Sequence, residues 1–298
     1  MWQPPRGSIL VGIDGSAAAL AAVRWAARDA ALRKLPLALV HVVDASLPEW
    51  FEVSALAGFR QRQEQRAREF LESAIEAAEE SFGECDPVPI DSNVFHSASV
   101  SALVGLSAEV AMVVVGRRGH GASVYNVPGR VSSALVYHAH CPVAVIHESE
   151  GAIRNFEHAP VLVGIDGSPA SEAATGIAFE EASRRGVGLT ALHVWVDPYV
   201  SGSKTKYQDA KWDARLAEEE ETLAERLAGW HDRYPDVAVH RRVEIGDPAH
   251  WLIEASELTQ LIVVGSHGCS PLRGTLLGSV GAAVVNRAKV PVIVARWS

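Results

Sequence analysis

The sequence predicts an α/β protein of two homologous domains, each doubly wound around a mainly parallel sheet. One observation is the alternation of short apolar runs with amphipathic helical stretches, the pattern of strands covered by helices on both faces. The second is that this pattern occurs twice. Ile9-Leu-Val-Gly-Ile-Asp-Gly-Ser16 returns as Val161-Leu-Val-Gly-Ile-Asp-Gly-Ser168, and Leu39-Val-His-Val42 as Ala191-Leu-His-Val194, both at an offset of 152. Met112-Val-Val-Val-Gly116 returns as Leu261-Ile-Val-Val-Gly265, and Pro142-Val-Ala-Val-Ile-His147 as Pro291-Val-Ile-Val-Ala-Arg296, both at 149. Four collinear repeats divide the 298 residues into two stretches of ordinary domain size. The expected limits are 1–148 and 160–298, joined by a polar linker over 149–159.

Each element has a local reason. Ile9–Ile13 is apolar and ends in Asp-Gly-Ser, a buried strand feeding a turn. Ser16 is placed to cap a helix over 17–32, with Val23, Ala26, Ala27 and Ala30 on one face. Pro36 is expected to stop that helix, and Leu37–Val43 forms the next strand. Residues 60–82 carry a stripe of Ala67, Phe70, Leu71, Ala74, Ile75 and Ala78. The counterpart in the second half has Leu216, Leu223, Leu227 and Trp230. A short helix over 100–107, the most apolar strand over 111–115, a helix over 129–138 and a final strand over 142–146 complete the repeat. In such sheets ligands sit at the carboxyl ends of the strands, where the strand order reverses.

Composition excludes several classes. Hydrophobic residues make up 48% and charged residues 21%, ordinary globular values that argue against disorder. The net charge is -9, and no basic stripe stands out, so no nucleic-acid partner is expected. Cys85, Cys141 and Cys269 are too few and too scattered for a disulfide framework. With no apolar run near 20 residues and no leader pattern, a cytoplasmic protein without membrane insertion is expected.

Two loops per repeat carry the candidate chemistry. The first is Gly12-Ile-Asp-Gly-Ser16, repeated as Gly164-Ile-Asp-Gly-Ser168. Its plain reading is an Asp-Gly turn with a serine cap. Its functional reading puts the carboxylate of Asp14 or Asp166 at a strand's carboxyl end. The second loop reads Gly265-Ser-His-Gly268, nine residues, then Gly278-Ser-Val-Gly281. In the first half it reads Gly116-Arg-Arg-Gly119, nine residues, then Gly129-Arg-Val-Ser132. Glycine after an apolar strand lets backbone approach a ligand, and a helix start offers free N–H groups to an anion. No Gly-Lys-Ser/Thr and no Gly-x-Gly-x-x-Gly occurs, so neither a Walker A loop nor a dinucleotide fingerprint is present.

The spacing Gly-x-x-Gly-(nine)-Gly-Ser, in a domain opening with Val-Gly-Ile-Asp-Gly-Ser, resembles the universal stress protein family. Both halves resemble it over nearly their whole length, as in tandem members of its ATP-binding subgroup. The resemblance implies a five-stranded sheet in each domain and pairing of domains through the final strand. It also implies one adenine-nucleotide site per domain and a stress or dormancy role. ATP, with Mg²⁺ as counter-ion, is the ligand implied.

Carried over to this sequence, the family's site comprises Gly164 and Ile165 beside the base, Asp166 beside the adenosine, and Val194, whose backbone reads adenine. Gly265, Ser266, His267, Gly268 and Cys269 form the ribose-phosphate loop, and Gly278, Ser279, Val280 and Gly281 hold phosphate. The first-half equivalents are Gly12, Ile13, Asp14, Val42, Gly116, Arg118, Gly119, His120, Gly121, Gly129, Arg130, Val131, Ser132 and Ser133. Asp197 and Asp44 end strands nearby and could reach a ribose hydroxyl, by analogy with dinucleotide folds. The first half departs more from the pattern. Arg130 stands where the family has Ser or Thr, and Ser97 and Ser99 stand opposite Gly246 and Pro248. In the second half Cys269-Ser270 and Gly281 depart.

The reading is an ATP-binding regulatory protein with little or no turnover. The alternative is a slow ATP hydrolase or a related adenine-nucleotide hydrolase. Hydrolysis needs a water positioner, a cationic clamp or a metal cage, and no Lys or Arg lies between Gly265 and Gly268. A homodimer is expected, with the protein partner left open. No metal site is expected. His138-Ala-His140-Cys141 reads as histidines at a helix carboxyl end. His41 and His193, near the base site, read equally as core histidines or as supports of the site. Trp50, Phe51, Trp195 and Tyr199 read as cover over the cleft mouth.

Overall fold

The computed structural model describes residues 2–43, 53–83, 85–119, 129–147, 158–195, 210–268 and 277–296. The chain forms two compact units, Met1–Glu150 and Gly151–Ser298. Unit 1 runs β1 (Ile9–Ile13), α1 (Ala17–Arg33), β2 (Leu37–Val43), α2 (Val53–Glu79), β3 (Ile90–His96), α3 (Ser99–Leu106), β4 (Met112–Gly116), α4 (Arg130–His138) and β5 (Val143–Ile146). Its strands lie in the order β3-β2-β1-β4-β5, all parallel. Unit 2 repeats this with β6 (Val161–Gly164), α5 (Pro169–Arg185), β7 (Leu189–Trp195), α6 (Ala210–Arg233), β8 (Val239–Ile245), α7 (Pro248–Ala255), β9 (Leu261–Gly265), α8 (Ser279–Arg287) and β10 (Val292–Ala295). Its order is β8-β7-β6-β9-β10, again parallel.

The expected doubly wound α/β fold is therefore present in each unit. The sheet is the core: Leu10, Val11, Leu39, Val113, Val114, Val143 and Val145 are wholly buried, as are Leu162, Val163, Ile262 and Ile293. α1 packs against β4 and against α2, whereas α3 packs against α4, so helices cover both faces. The inner face of α1 is built from Ala18, Ala22, Ala26 and Ala30, all fully buried. Small side chains let this helix lie close to the sheet, which dictates a glycine opposite it, as shown below.

The strands β3 and β8 have no counterpart in the apolar pattern. β3 reads Ile-Asp-Ser-Asn-Val-Phe-His and none of its residues is buried; β8 reads Val-His-Arg-Arg-Val-Glu-Ile. Both flank a neighbour on one side only in their own unit. An outer strand faces water and carries the polar and charged residues that discourage further pairing, so its periodicity is weak. α1 ends just ahead of Pro36, as expected. The helix ends at Lys34, which turns left-handed at φ 54° while its N–H bonds the carbonyls of Ala30 and Ala31. Gly186 makes the same turn after α5 at φ 63°, without a Cβ to crowd it.

In both units the chain leaves the first strand in one direction and returns on its other side. The carboxyl ends of β1 and β4, and of β6 and β9, therefore flank the crevice where the order reverses.

Candidate functional site

The Asp-Gly-Ser turn that follows β1 does two jobs. Asp14 Oδ1 accepts from the Ser16 N–H at 3.0 Å and from the Ser16 hydroxyl at 2.6 Å. Ser16 Oγ in turn accepts from the Ala19 N–H at 3.1 Å and caps α1. Unit 2 copies the geometry, with the Ser168 N–H 2.9 Å from Asp166 Oδ1 and the Ser171 N–H 3.1 Å from Ser168 Oγ. The plain reading of this loop is thus correct for Oδ1; the carboxylate has a second oxygen, Oδ2. That oxygen faces the other loop. A Cβ on Gly119 would collide with Asp14 Oδ2, and one on Gly268 would lie 2.7 Å from Asp166 Oδ2. The capping serine reaches the same loop, with Ser168 Oγ donating to the His267 carbonyl at 3.2 Å.

The second loop begins at a glycine that packing requires. A Cβ on Gly116 would stand 2.6 and 2.7 Å from the backbone C and O of Ala18, and one on Gly265 2.8 and 2.9 Å from those of Ala170. The loop closes on the start of α4 or α8. Gly129 N–H donates to the Arg117 carbonyl at 2.8 Å, and Gly278 N–H to the Ser266 carbonyl at 2.7 Å. These two N–H groups are committed inside the loop. The next three, from Arg130, Val131 and Ser132 or from Ser279, Val280 and Gly281, begin the helix and have no intrahelical acceptor. Gly129 and Gly278 themselves are not forced by the chain. Their φ values are -64° and -70°, and a Cβ would find nothing nearer than 3.5 and 3.6 Å. The chain's own packing therefore does not require glycine at either position.

Each unit encloses a cleft at this crevice, about 360 Å³ in unit 1 and about 350 Å³ in unit 2. Apolar side chains of the first, second and fourth strands line one part, among them Ile13, Val42 and Val115 in unit 1 and Ile165, Val194 and Val264 in unit 2. Gly12, Asp14, Gly116, Arg118, Gly119, Gly129, Arg130, Val131 and Ser132 line the rest of the first cleft. Gly164, Asp166, Gly265, His267, Gly268, Gly278, Ser279, Val280 and Gly281 line the rest of the second.

Three expected residues stand differently. Ser133 is not among the lining; its N–H closes the first turn of α4 on the Gly129 carbonyl. Ser266 is buried behind the loop, with Oγ 3.1 Å from His267 Nδ1. Ser132 lines the cleft, but its hydroxyl is tied to the carbonyls of Arg117 and Gly129 at 2.9 and 3.0 Å. His120, Gly121, Asp44, Asp197 and Cys269, with Trp50, Phe51 and Tyr199, lie outside the described residues. Leu103 and Leu252 were missed by motif reading. They sit 149 residues apart on α3 and α7 and press on Gly12 and Gly164. Superposing the two halves would have paired them. Ser99 and Pro248, noted only as departures, also line the clefts.

His41 and His193 support the site without lining it. Nδ1 of His41 lies 2.8 Å from the Ile13 carbonyl, and Nδ1 of His193 2.7 Å from that of Ile165, each one residue before the aspartate. His193 Nε2 also lies 3.3 Å from Glu219 Oε2, and Arg215 lies 3.1 Å from Glu219 Oε1. Arg215 sits over the Trp195 ring at 5.3 Å. Replacing His193 with Phe leaves a buried carbonyl without this partner and Glu219 without its imidazole. We expect a loss of about 1–3 kcal/mol, read as a lower urea midpoint; an unchanged midpoint would show that the bond carries no stability.

Among the described residues no group of three His, Cys, Asp or Glu side chains is placed to hold a metal ion. No helix there is long and apolar enough to cross a membrane. Among the described residues, neither Cys85 nor Cys141 takes part in a disulfide.

Comparison with known proteins agrees with this arrangement. The universal stress protein family matches residues 5–147 and again residues 158–296. A universal stress protein of Mycobacterium tuberculosis is 47% identical over 290 residues, covering 97% of this chain and 96% of its own length. One from Mycolicibacterium smegmatis is 44% identical over 296 residues, covering 97% of this chain and 96% of its own. Among solved structures, a universal stress protein from Archaeoglobus fulgidus superposes with a TM-score of 0.70 at 19% identity, over 98% of this chain and 97% of that one. The last similarity speaks to the fold alone.

Proposed function

The chain belongs to the universal stress protein family, and we propose that it is a nucleotide-binding regulatory protein holding one ATP in each unit with little or no turnover. The observation that carries this reading is the duplicated cleft. Each cleft joins an apolar wall, a carboxylate and three helix-start N–H groups within about 350–360 Å³. That volume lies in the range of small-molecule sites, which are mostly apolar with a few convergent polar groups. The apolar wall suits a purine, the carboxylate suits a ribose hydroxyl, and the helix start suits phosphate. Mg²⁺, in this reading, travels with the nucleotide as its counter-ion and is held by phosphate oxygens and water. A role in stress or dormancy, a cytoplasmic location and a homodimer belong to the same reading.

The test is calorimetric titration of the full chain with ATP. The unaltered chain is expected to take up two equivalents. Gly278→Asp sets a carboxylate where the phosphates would lie, and a Cβ there meets nothing closer than 3.6 Å, so the fold tolerates it. This variant is expected to bind one equivalent, as is Gly129→Asp. Two equivalents in both variants would overturn the assignment of the phosphate loop.

A further inference from the structure

The repeat allows the two clefts to be compared position by position. Their frameworks are the same: the aspartate, the loop glycines, three helix-start N–H groups and nearly equal volumes. Their charges are not. Arg118 and Arg130 line the cleft of unit 1, and 149 residues later His267 and Ser279 line that of unit 2. Among the described residues the second cleft is lined by no Lys or Arg.

A helix start supplies roughly half a positive charge, enough to hold one anionic group. Both clefts have that much. Further phosphate groups gain strongly only where a cation donates to them, because charge-assisted hydrogen bonds are about twice as strong as neutral ones. Arg130 is at the first position of α4 and is exposed. A cation is disfavoured at that end of a helix unless an anion stands beside it. A guanidinium is always charged and can grip phosphate oxygens in pairs.

We propose, resting on the nucleotide reading above, that the two clefts are a matched pair for nucleotides of different phosphate charge. Unit 1 selects adenosine triphosphate over the monophosphate, and unit 2 accepts either about equally. Unit 1 then fills only when triphosphate prevails, whereas unit 2 stays filled as the ratio changes. The chain would report the phosphorylation state of the adenine pool by which of its units is occupied.

The experiment titrates ATP and AMP into full-length chains in EDTA, so that divalent cations do not mask nucleotide charge. Gly278→Asp leaves unit 1 as the open cleft and Gly129→Asp leaves unit 2. With unit 1 open, ATP is expected to bind at least about thirtyfold more tightly than AMP, and with unit 2 open within about threefold. Adding Arg118→His and Arg130→Ser to the first chain should lower its ratio to that of unit 2. Adding Ser279→Arg to the second should raise its ratio. Raised salt should weaken ATP more in unit 1 than in unit 2. Equal ratios in the two clefts, or a ratio that survives loss of both arginines, would overturn the charge assignment while leaving nucleotide binding intact. Failure of both nucleotides to bind either chain, or two equivalents bound by each, would overturn this proposal together with the site on which it rests.

Discussion

Replacing Gly116 with alanine is expected to destabilise unit 1 by about 2–3 kcal/mol, the cost of forcing atoms into a packed interior. The added methyl would stand 2.6 Å from a backbone carbon and 2.7 Å from a backbone oxygen of Ala18. Those atoms belong to the first turn of α1, which is fixed by the Ser16 cap and by the fully buried Ala18 and Ala22. A side chain could rotate out of the way, but this backbone cannot. Either the helix start lifts from β4 or the loop after β4 bends, and both open the cleft. Gly129→Ser, 13 residues on in the same loop, is the control. Its Cβ meets only ordinary contacts, and serine is at least as good a helix cap as glycine. Urea unfolding followed by circular dichroism should give a clearly lower midpoint for Gly116→Ala and a near wild-type one for Gly129→Ser. Equal midpoints would show that the close approach of α1 to β4 is not tight.

How far the sequence reveals this molecule depends on where each residue sits. The strands β1, β2, β4 and β5 are legible because both their faces are covered, so nearly every position is apolar and the run stands out. The outer strands β3 and β8 lose that signal because polar residues alternate with apolar ones facing a half-open surface. The loops are legible because glycine spacing was duplicated, not because any one glycine is informative. Even so, motif reading could not separate Gly116, which packing demands, from Gly129, which the chain's own packing does not. Leu103 escaped notice because an apolar residue in a short helix looks like core until its position over Gly12 is known. The histidines of β2 and β7 could not be resolved from sequence, since their role depends on a carbonyl of the adjacent strand.

Removing the carboxylate of Asp166 should separate the adenosine end of the ligand from its phosphates. Oδ1 of Asp166 accepts the Ser168 N–H at 2.9 Å, and Oδ2 faces the loop at Gly268. A negative charge at that place repels polyphosphate and attracts a hydrogen-bond donor, such as a ribose hydroxyl. Asp166→Ala is therefore expected to cost ATP affinity at unit 2 by at least about tenfold, the scale of one hydrogen bond to a charged group. Inorganic tripolyphosphate, which has no sugar, should bind the variant as tightly as the parent or more tightly. Alanine also removes the acceptor that holds the turn, and we expect about 1 kcal/mol of lost stability from it. Asp166→Asn keeps an oxygen for the Ser168 N–H, so most of that stability should return while the ribose contact loses its charge. Calorimetry with both ligands on a Gly129→Asp background isolates the second cleft. An alanine variant that loses ATP and tripolyphosphate in the same proportion would mean that Asp166 only holds the loop in shape. One that keeps its ATP affinity would remove the aspartate from the site altogether.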